Sequence, residues 1–171
     1  MSELLSKLMA LDIVVPGEVK LSHAGSSDFY IDVKKALGYP EISDLIRDEL
    51  WGKMQRKPTC IAASGYGGIV LATKITDKYR TTNNQRIKLT LVRDNPKKHG
   101  LNKLVEGYVP TKDDVVAIVD DVLTTGRSIK NVRETLAETG AKITGAYVVV
   151  KRGEAQMSLP AFYLFNAWEL K

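Results

Sequence analysis

Two adjacent carboxylates, Asp120 and Asp121, follow the apolar run 115–119 and precede Val122-Leu123-Thr124-Thr125-Gly126-Arg127-Ser128. Neighbouring carboxylates can accept hydrogen bonds from a vicinal diol, or stabilise positive charge developing on a sugar ring. Backbone N–H groups at a helix start attract phosphate. Thr124, Thr125 and Ser128 add hydroxyl donors there, and Gly126 permits close approach. Together these groups suit a phosphorylated sugar. Taken as an isolated string, the segment also fits a plain strand end followed by a helix capped by Thr125. Competing nucleotide motifs fail. No glycine loop ends in G-K-[ST], and the spacing Gly65, Gly67, Val70 lacks the third small residue of a dinucleotide fingerprint.

Four other segments carry chemistry. In Ala63-Ser64-Gly65-Tyr66-Gly67-Gly68, small residues let backbone N–H groups approach phosphate oxygens. In Leu21-Ser22-His23-Ala24-Gly25-Ser26-Ser27-Asp28-Phe29-Tyr30-Ile31-Asp32, the aromatic pair Phe29 and Tyr30 can present one ring to a flat base while the other packs inward. The stretch 93–103 opens with Arg93-Asp94-Asn95-Pro96-Lys97-Lys98-His99-Gly100 and buries almost nothing, so it reads as a mobile loop. Its cations Arg93, Lys97 and His99 suit closure over a polyanion. Arg152, after Val148-Val149-Val150-Lys151, offers a planar guanidinium, the natural bidentate partner of a carboxylate.

The elements that must position these groups follow from periodicity. Residues 2–11 place Leu4, Leu5, Leu8 and Met9 at helical spacing behind a Ser2 cap. Pro40 opens a second helix carrying Ile42, Leu45, Ile46, Leu50 and Met54. Residues 59–63, 87–92, 115–119, 143–150 and 162–165 read as strands, several buried on both faces. Helices are expected over 69–79 and 128–139, the latter with Ile129, Val132, Leu136 and Ala137 inward and Gly140 as its stop. Strands alternating with helices give an α/β fold with a central, mainly parallel sheet flanked by helices. Its ligand belongs at the carboxyl ends of the strands.

The chain has 171 residues with 44% apolar and 26% charged, which fits one domain and argues against disorder. No apolar run is long enough to span a membrane, and no export signal opens the chain. A single cysteine, Cys60, fits a reducing cytoplasm. The net charge of +5 suits an anionic partner without choosing one. Basic residues are spread rather than striped, so nucleic acid and membrane are not expected partners.

The stretch 115–128 resembles the 5-phosphoribosyl 1-pyrophosphate (PRPP) signature of type I phosphoribosyltransferases. The resemblance extends in order over about 19–154, with residues 21–32, 63–68, 93–100 and 148–154 similar to orotate phosphoribosyltransferases. It implies a type I phosphoribosyltransferase fold, a hood at roughly 1–38 over the base site, and a core at roughly 39–171. The implied activity is Mg²⁺-dependent transfer of ribose 5-phosphate from PRPP to orotate, giving orotidine 5′-phosphate and pyrophosphate in pyrimidine biosynthesis.

The resemblance assigns Asp120 and Asp121 to the ribose hydroxyls. Thr124, Thr125, Gly126, Arg127 and Ser128 cradle the 5′-phosphate, and Gly65, Tyr66 and Gly67 meet the pyrophosphate. Arg93, Lys97 and His99 also bind PRPP and are catalytic together with Asp120 and Asp121, while Phe29, Tyr30, Arg152 and Thr124 hold orotate. Mg²⁺ is expected on substrate oxygens and water rather than on side chains. The implied partner is a second copy of the chain, whose site the 93–103 loop completes. Departures from the family pattern stand at Ser22, Ala24, Asp28, Gly67 and Asp94. The alternatives are transfer to another base, such as a purine, or a non-catalytic PRPP-sensing regulator.

Overall fold

The strands over 60–63, 115–119 and 142–150 bury apolar residues on both faces, and the architecture follows from the need to cover both. In the computed structural model, which describes residues 2–21, 25–54, 57–94 and 104–171 (side chains at 18–21 and 25–27 aside), the chain opens with α1 (Glu3–Ala10). An antiparallel pair follows, β1 (Val14–Leu21) and β2 (Gly25–Ile31), then α2 (Val33–Leu37) and α3 (Pro40–Lys53). The remainder is β3 (Cys60–Ala63), α4 (Gly65–Asn83), β4 (Lys88–Val92), β5 (Val105–Gly107), β6 (Val115–Leu123), α5 (Arg127–Leu136), β7 (Lys142–Lys151) and β8 (Ala161–Asn166).

The second sheet has the order β5-β4-β3-β6-β7-β8, parallel throughout except where β5 runs against β4. Alternation decides which side each residue serves. Ile61, Ala63, Ala117, Val119, Tyr147 and Val149 join the core beneath α1, α3 and α4. Cys60, Ala62, Val116, Ile118, Ala146 and Val148 join the core beneath α5. Helices therefore lie on both faces, as expected.

Local signals mostly act as read. The Ser2 hydroxyl accepts the Leu5 N–H, Pro40 sits in the first turn of α3, and Ile42, Ile46 and Leu50 are buried. In α1, Leu4 and Leu8 are buried, whereas Met9 is exposed on the flank of the apolar stripe. Ala137 is also exposed rather than inward, because the chain tightens into a 3₁₀ turn over Ala137–Thr139. A 3₁₀ turn advances about 120° per residue rather than 100°, which swings Ala137 off the buried face. Four elements were not read from periodicity: β1, interrupted by Pro16 and a register shift; its partner β2; α2, five residues long; and β5, three residues long.

At the amino ends of the strands, the Asp114 carboxylate is 2% exposed. It accepts from Thr59 Oγ1 (2.7 Å), Lys88 Nζ (2.9 Å), Tyr108 OH (2.8 Å) and the Thr111 N–H (3.0 Å). Its backbone carbonyl takes the Lys142 N–H at 2.9 Å. One residue thus ties the starts of β3, β4, β6 and β7. Burial works to raise its pKa, but these donors outweigh burial and hold it well below the usual carboxylate value. Among the described residues, no helix is long and apolar enough to cross a membrane.

Candidate active site at the carboxyl ends of the strands

From β3 the chain crosses to β4 on one side; β6 returns to the other side of β3 and the sheet continues to β7 and β8. The connections diverge between β3 and β6, which leaves a crevice at their carboxyl ends. Ala63 pairs with Val119 there, so Ser64 leaves β3 beside Asp120. β6 runs through Leu123, so the acidic pair lies within the strand rather than past its end.

The first turn of α4 is pressed onto that pair. A Cβ on Gly67 would stand 2.3 Å from Asp121 Oδ2 and 2.8 Å from Asp121 Cβ, and one on Gly68 would stand 2.9 Å from the Val119 carbonyl. Neither position has room for a side chain with the acids where they are. This contact covers Asp120, leaving it 7% exposed, whereas the Asp121 side chain keeps 16% of its surface. Burial first, and then the neighbouring Asp121 charge, raise the pKa of Asp120, with hydrogen bonds from the Asp121 N–H (2.9 Å) and the Ser128 hydroxyl acting the other way.

Asp121 is held at both oxygens. Oδ1 accepts the Val122 N–H at 3.0 Å, and Oδ2 accepts from Lys34 Nζ at 3.3 Å. Lys34 also donates to the Tyr30 hydroxyl at 2.9 Å. Partial burial opposes its charge, yet Tyr30 and Asp121 together hold its pKa up at about 12. Lys34 escaped the sequence reading. Tyr30 lies in β2 and Lys34 in α2, so no single periodicity pairs them.

The bend after β6 places Gly126 at the N-cap of α5 with φ +79, a left-handed conformation that favours glycine. Thr125 therefore does not cap the helix. No side chain caps α4 or α5, whereas Ser2 and Asp32 cap α1 and α2. α3 also lacks a side-chain cap, so an open start is not peculiar to the crevice; at α4 and α5 it leaves amides there for a ligand or water. Thr124 and Ser128 are half-buried beside the bend, while Thr125 and Arg127 are exposed. Gly65 and Tyr66 belong to α4 itself, and Tyr66 projects into solvent at 87% exposure.

Arg152 follows β7, its N–H bonded to the Leu123 carbonyl at 2.8 Å and its side chain buried. Its guanidinium stacks 4.6 Å from the Phe29 ring centroid, and Lys171 Nζ lies 3.7 Å from the same centroid. Burial lowers the Arg152 pKa from its usual value, while Tyr30 acts to raise it. Phe29 and Tyr30 alternate along β2, so one joins Arg152 and the other reaches the acidic pair through Lys34. The sequence-derived residues Phe29, Tyr30, Gly67, Asp120, Asp121, Ser128 and Arg152 thus gather around one crevice.

Arg93 stands at its edge. Its Nε donates to Glu106 at 2.9 Å, its N–H to the Leu104 carbonyl at 2.9 Å, and its own carbonyl accepts from Asn131 at 3.2 Å. Asp94 accepts from the Ser64 hydroxyl at 2.8 Å, a contact that fastens the start of the loop to the start of α4. Lys97 and His99 lie outside the described residues, as do Ser22 and Ala24.

Comparison with known proteins agrees with this geometry. Residues 38–163 match the phosphoribosyl transferase domain family. The chain is 33% identical over 155 residues to the orotate phosphoribosyltransferase of Methanothermobacter thermautotrophicus, covering 89% of this chain and 80% of that protein. An orotate phosphoribosyltransferase structure from Aeropyrum pernix superposes with a TM-score of 0.80 at 27% identity, covering 98% of this chain and 95% of the other. A structure from Mycobacterium tuberculosis, an orotate phosphoribosyltransferase in complex with Fe(III) dicitrate, gives 0.78 at 26% identity, covering 98% and 97%. On these matches the chain belongs to the phosphoribosyltransferase family, among the orotate phosphoribosyltransferases.

Proposed function

We propose that this chain transfers ribose 5-phosphate from PRPP to orotate, releasing pyrophosphate and forming orotidine 5′-phosphate for pyrimidine biosynthesis. The observation that carries the reading is the joint placement of Asp120–Asp121 against the first turn of α4 and of Arg152 stacked on Phe29 at the neighbouring strand end. The carboxylates accept the ribose 2′- and 3′-hydroxyls. The amides and hydroxyls of Thr124, Thr125, Gly126, Arg127 and Ser128 receive the 5′-phosphate. Gly65, Tyr66 and Gly67 open α4 toward the pyrophosphate.

The bond from ribose C1 to pyrophosphate breaks with positive charge on the sugar and negative charge on the leaving group. Asp120 and Asp121 stabilise the first, and Arg93, Lys97 and His99 the second. Arg93 exchanges Glu106 for pyrophosphate when the loop closes, which also excludes water. Arg152 pairs with the orotate carboxylate. Phe29 and Tyr30 supply the walls of the base site, with Thr124 beside them. A purine offers no carboxylate for Arg152, and this disfavours the purine alternative.

Among the described residues no three His, Cys, Asp or Glu side chains come together to hold a metal. Mg²⁺ would be carried on PRPP oxygens and water, where it would supply charge neutralisation for the leaving group. We further infer a homodimer in which the 93–103 loop of one copy completes the site of the other, working in the cytoplasm. The test is spectrophotometric: orotate absorbance falls when protein, PRPP and Mg²⁺ are mixed. Unchanged absorbance with PRPP bound would favour the sensing regulator instead.

A further inference from the structure

Lys34 enters the crevice from outside the sheet, and no motif placed it there. It sits on α2, directly after the hairpin, and its ammonium lies between the Tyr30 hydroxyl (2.9 Å) and Asp121 Oδ2 (3.3 Å). Asp32 is 3.9 Å away. The Asp121 carboxylate has two anchors, the Val122 N–H on Oδ1 and this ammonium on Oδ2. Each oxygen keeps a second lone pair, so both anchors can persist while a sugar hydroxyl is accepted. The missing Cβ at Gly67 leaves Oδ2 the space in which it meets Lys34.

Building on the proposed PRPP reading, we propose that Lys34 is a positioning residue: it fixes the Asp121 carboxylate for the ribose hydroxyls and fastens the β1–β2 hairpin and α2 to the acidic pair. The contribution is to sugar binding rather than to folding. The Lys34 side chain is 44% exposed, and an ion pair that wet contributes little to stability. Held in two places, Asp121 loses less rotational freedom when a diol arrives, and that saving appears in the affinity.

The experiment measures PRPP affinity by calorimetry, with Mg²⁺ present, and separate KM values for PRPP and orotate. Lys34→Met weakens PRPP binding about tenfold and raises KM for PRPP in step, with KM for orotate within about twofold and the melting temperature nearly unmoved. Lys34→Arg, which keeps the charge, restores most of the loss. Lys34→Gln guards against a folding defect in the first variant and shows at least a threefold loss by the same reasoning. PRPP affinity within twofold of wild type in both Lys34→Met and Lys34→Gln overturns the inference while leaving the proposed function intact. A wild-type protein that binds no PRPP overturns both.

Discussion

The stack of Arg152 on Phe29 shows why neighbouring residues in the sequence divide between two tasks. Buried, and fixed through its backbone to Leu123, the guanidinium is held where a flexible surface arginine would wander. Arg152→Ala is expected to raise KM for orotate by about 30-fold, since a hydrogen bond to a charged group is worth roughly 1.5–3 kcal/mol. PRPP affinity should change little, and paired titrations with each substrate check the split. The guanidinium was visible in the sequence as a cation at a strand end, but its aromatic partner was not, because 123 positions separate Phe29 from Arg152. Lys34 was hidden for a related reason. A lysine among many declares itself only when folding brings a carboxylate from 87 residues away.

At the scale of elements, the decisive contact is the first turn of α4 against β6. Helix and strand were both legible from periodicity, and so was the run of small residues between them. What the sequence withheld was how close the two come, since the need for glycine at 67 depends on the Asp121 atoms beside it. Gly67→Ala should displace the carboxylate and cost about 1–3 kcal/mol, the usual range for overfilling a packed site. A fall in PRPP affinity larger than the fall in melting temperature implies would show that the carboxylate, rather than the fold, is what moved. The short elements resisted reading for a different reason. β5 has a single apolar residue in three and owes its existence to pairing with β4, and β1 carries a proline and a glycine inside a strand.

For the whole molecule, fold class and sheet direction were readable because strands buried on both faces need helices on both sides. The order β5-β4-β3-β6-β7-β8 came only with the coordinates. Stability gathers at the amino ends, around Asp114. Its pKa is depressed in the folded state, so its contribution is full above the unfolded carboxylate value near pH 4 and is lost as pH falls through the folded value. Asp114→Asn should cost about 3 kcal/mol at neutral pH, because a buried carboxylate gives up its charge-assisted bonds from Thr59, Lys88, Tyr108 and Thr111. For a chain of this size that is a drop of roughly 10 °C in melting temperature. Thermal melts from pH 7 down to 2 should show the variant converging on wild type at the acid end, and a constant gap would contradict the assignment.

The Asp114 anchorage also bears on how such a protein can change. With four strands bolted together at one rim, the opposite rim is relieved of holding the sheet shut, so substitutions there tax recognition before they tax folding. A lineage built this way can vary Phe29, Tyr30 or Arg152, the residues proposed to line the base site, without first acquiring a sturdier scaffold.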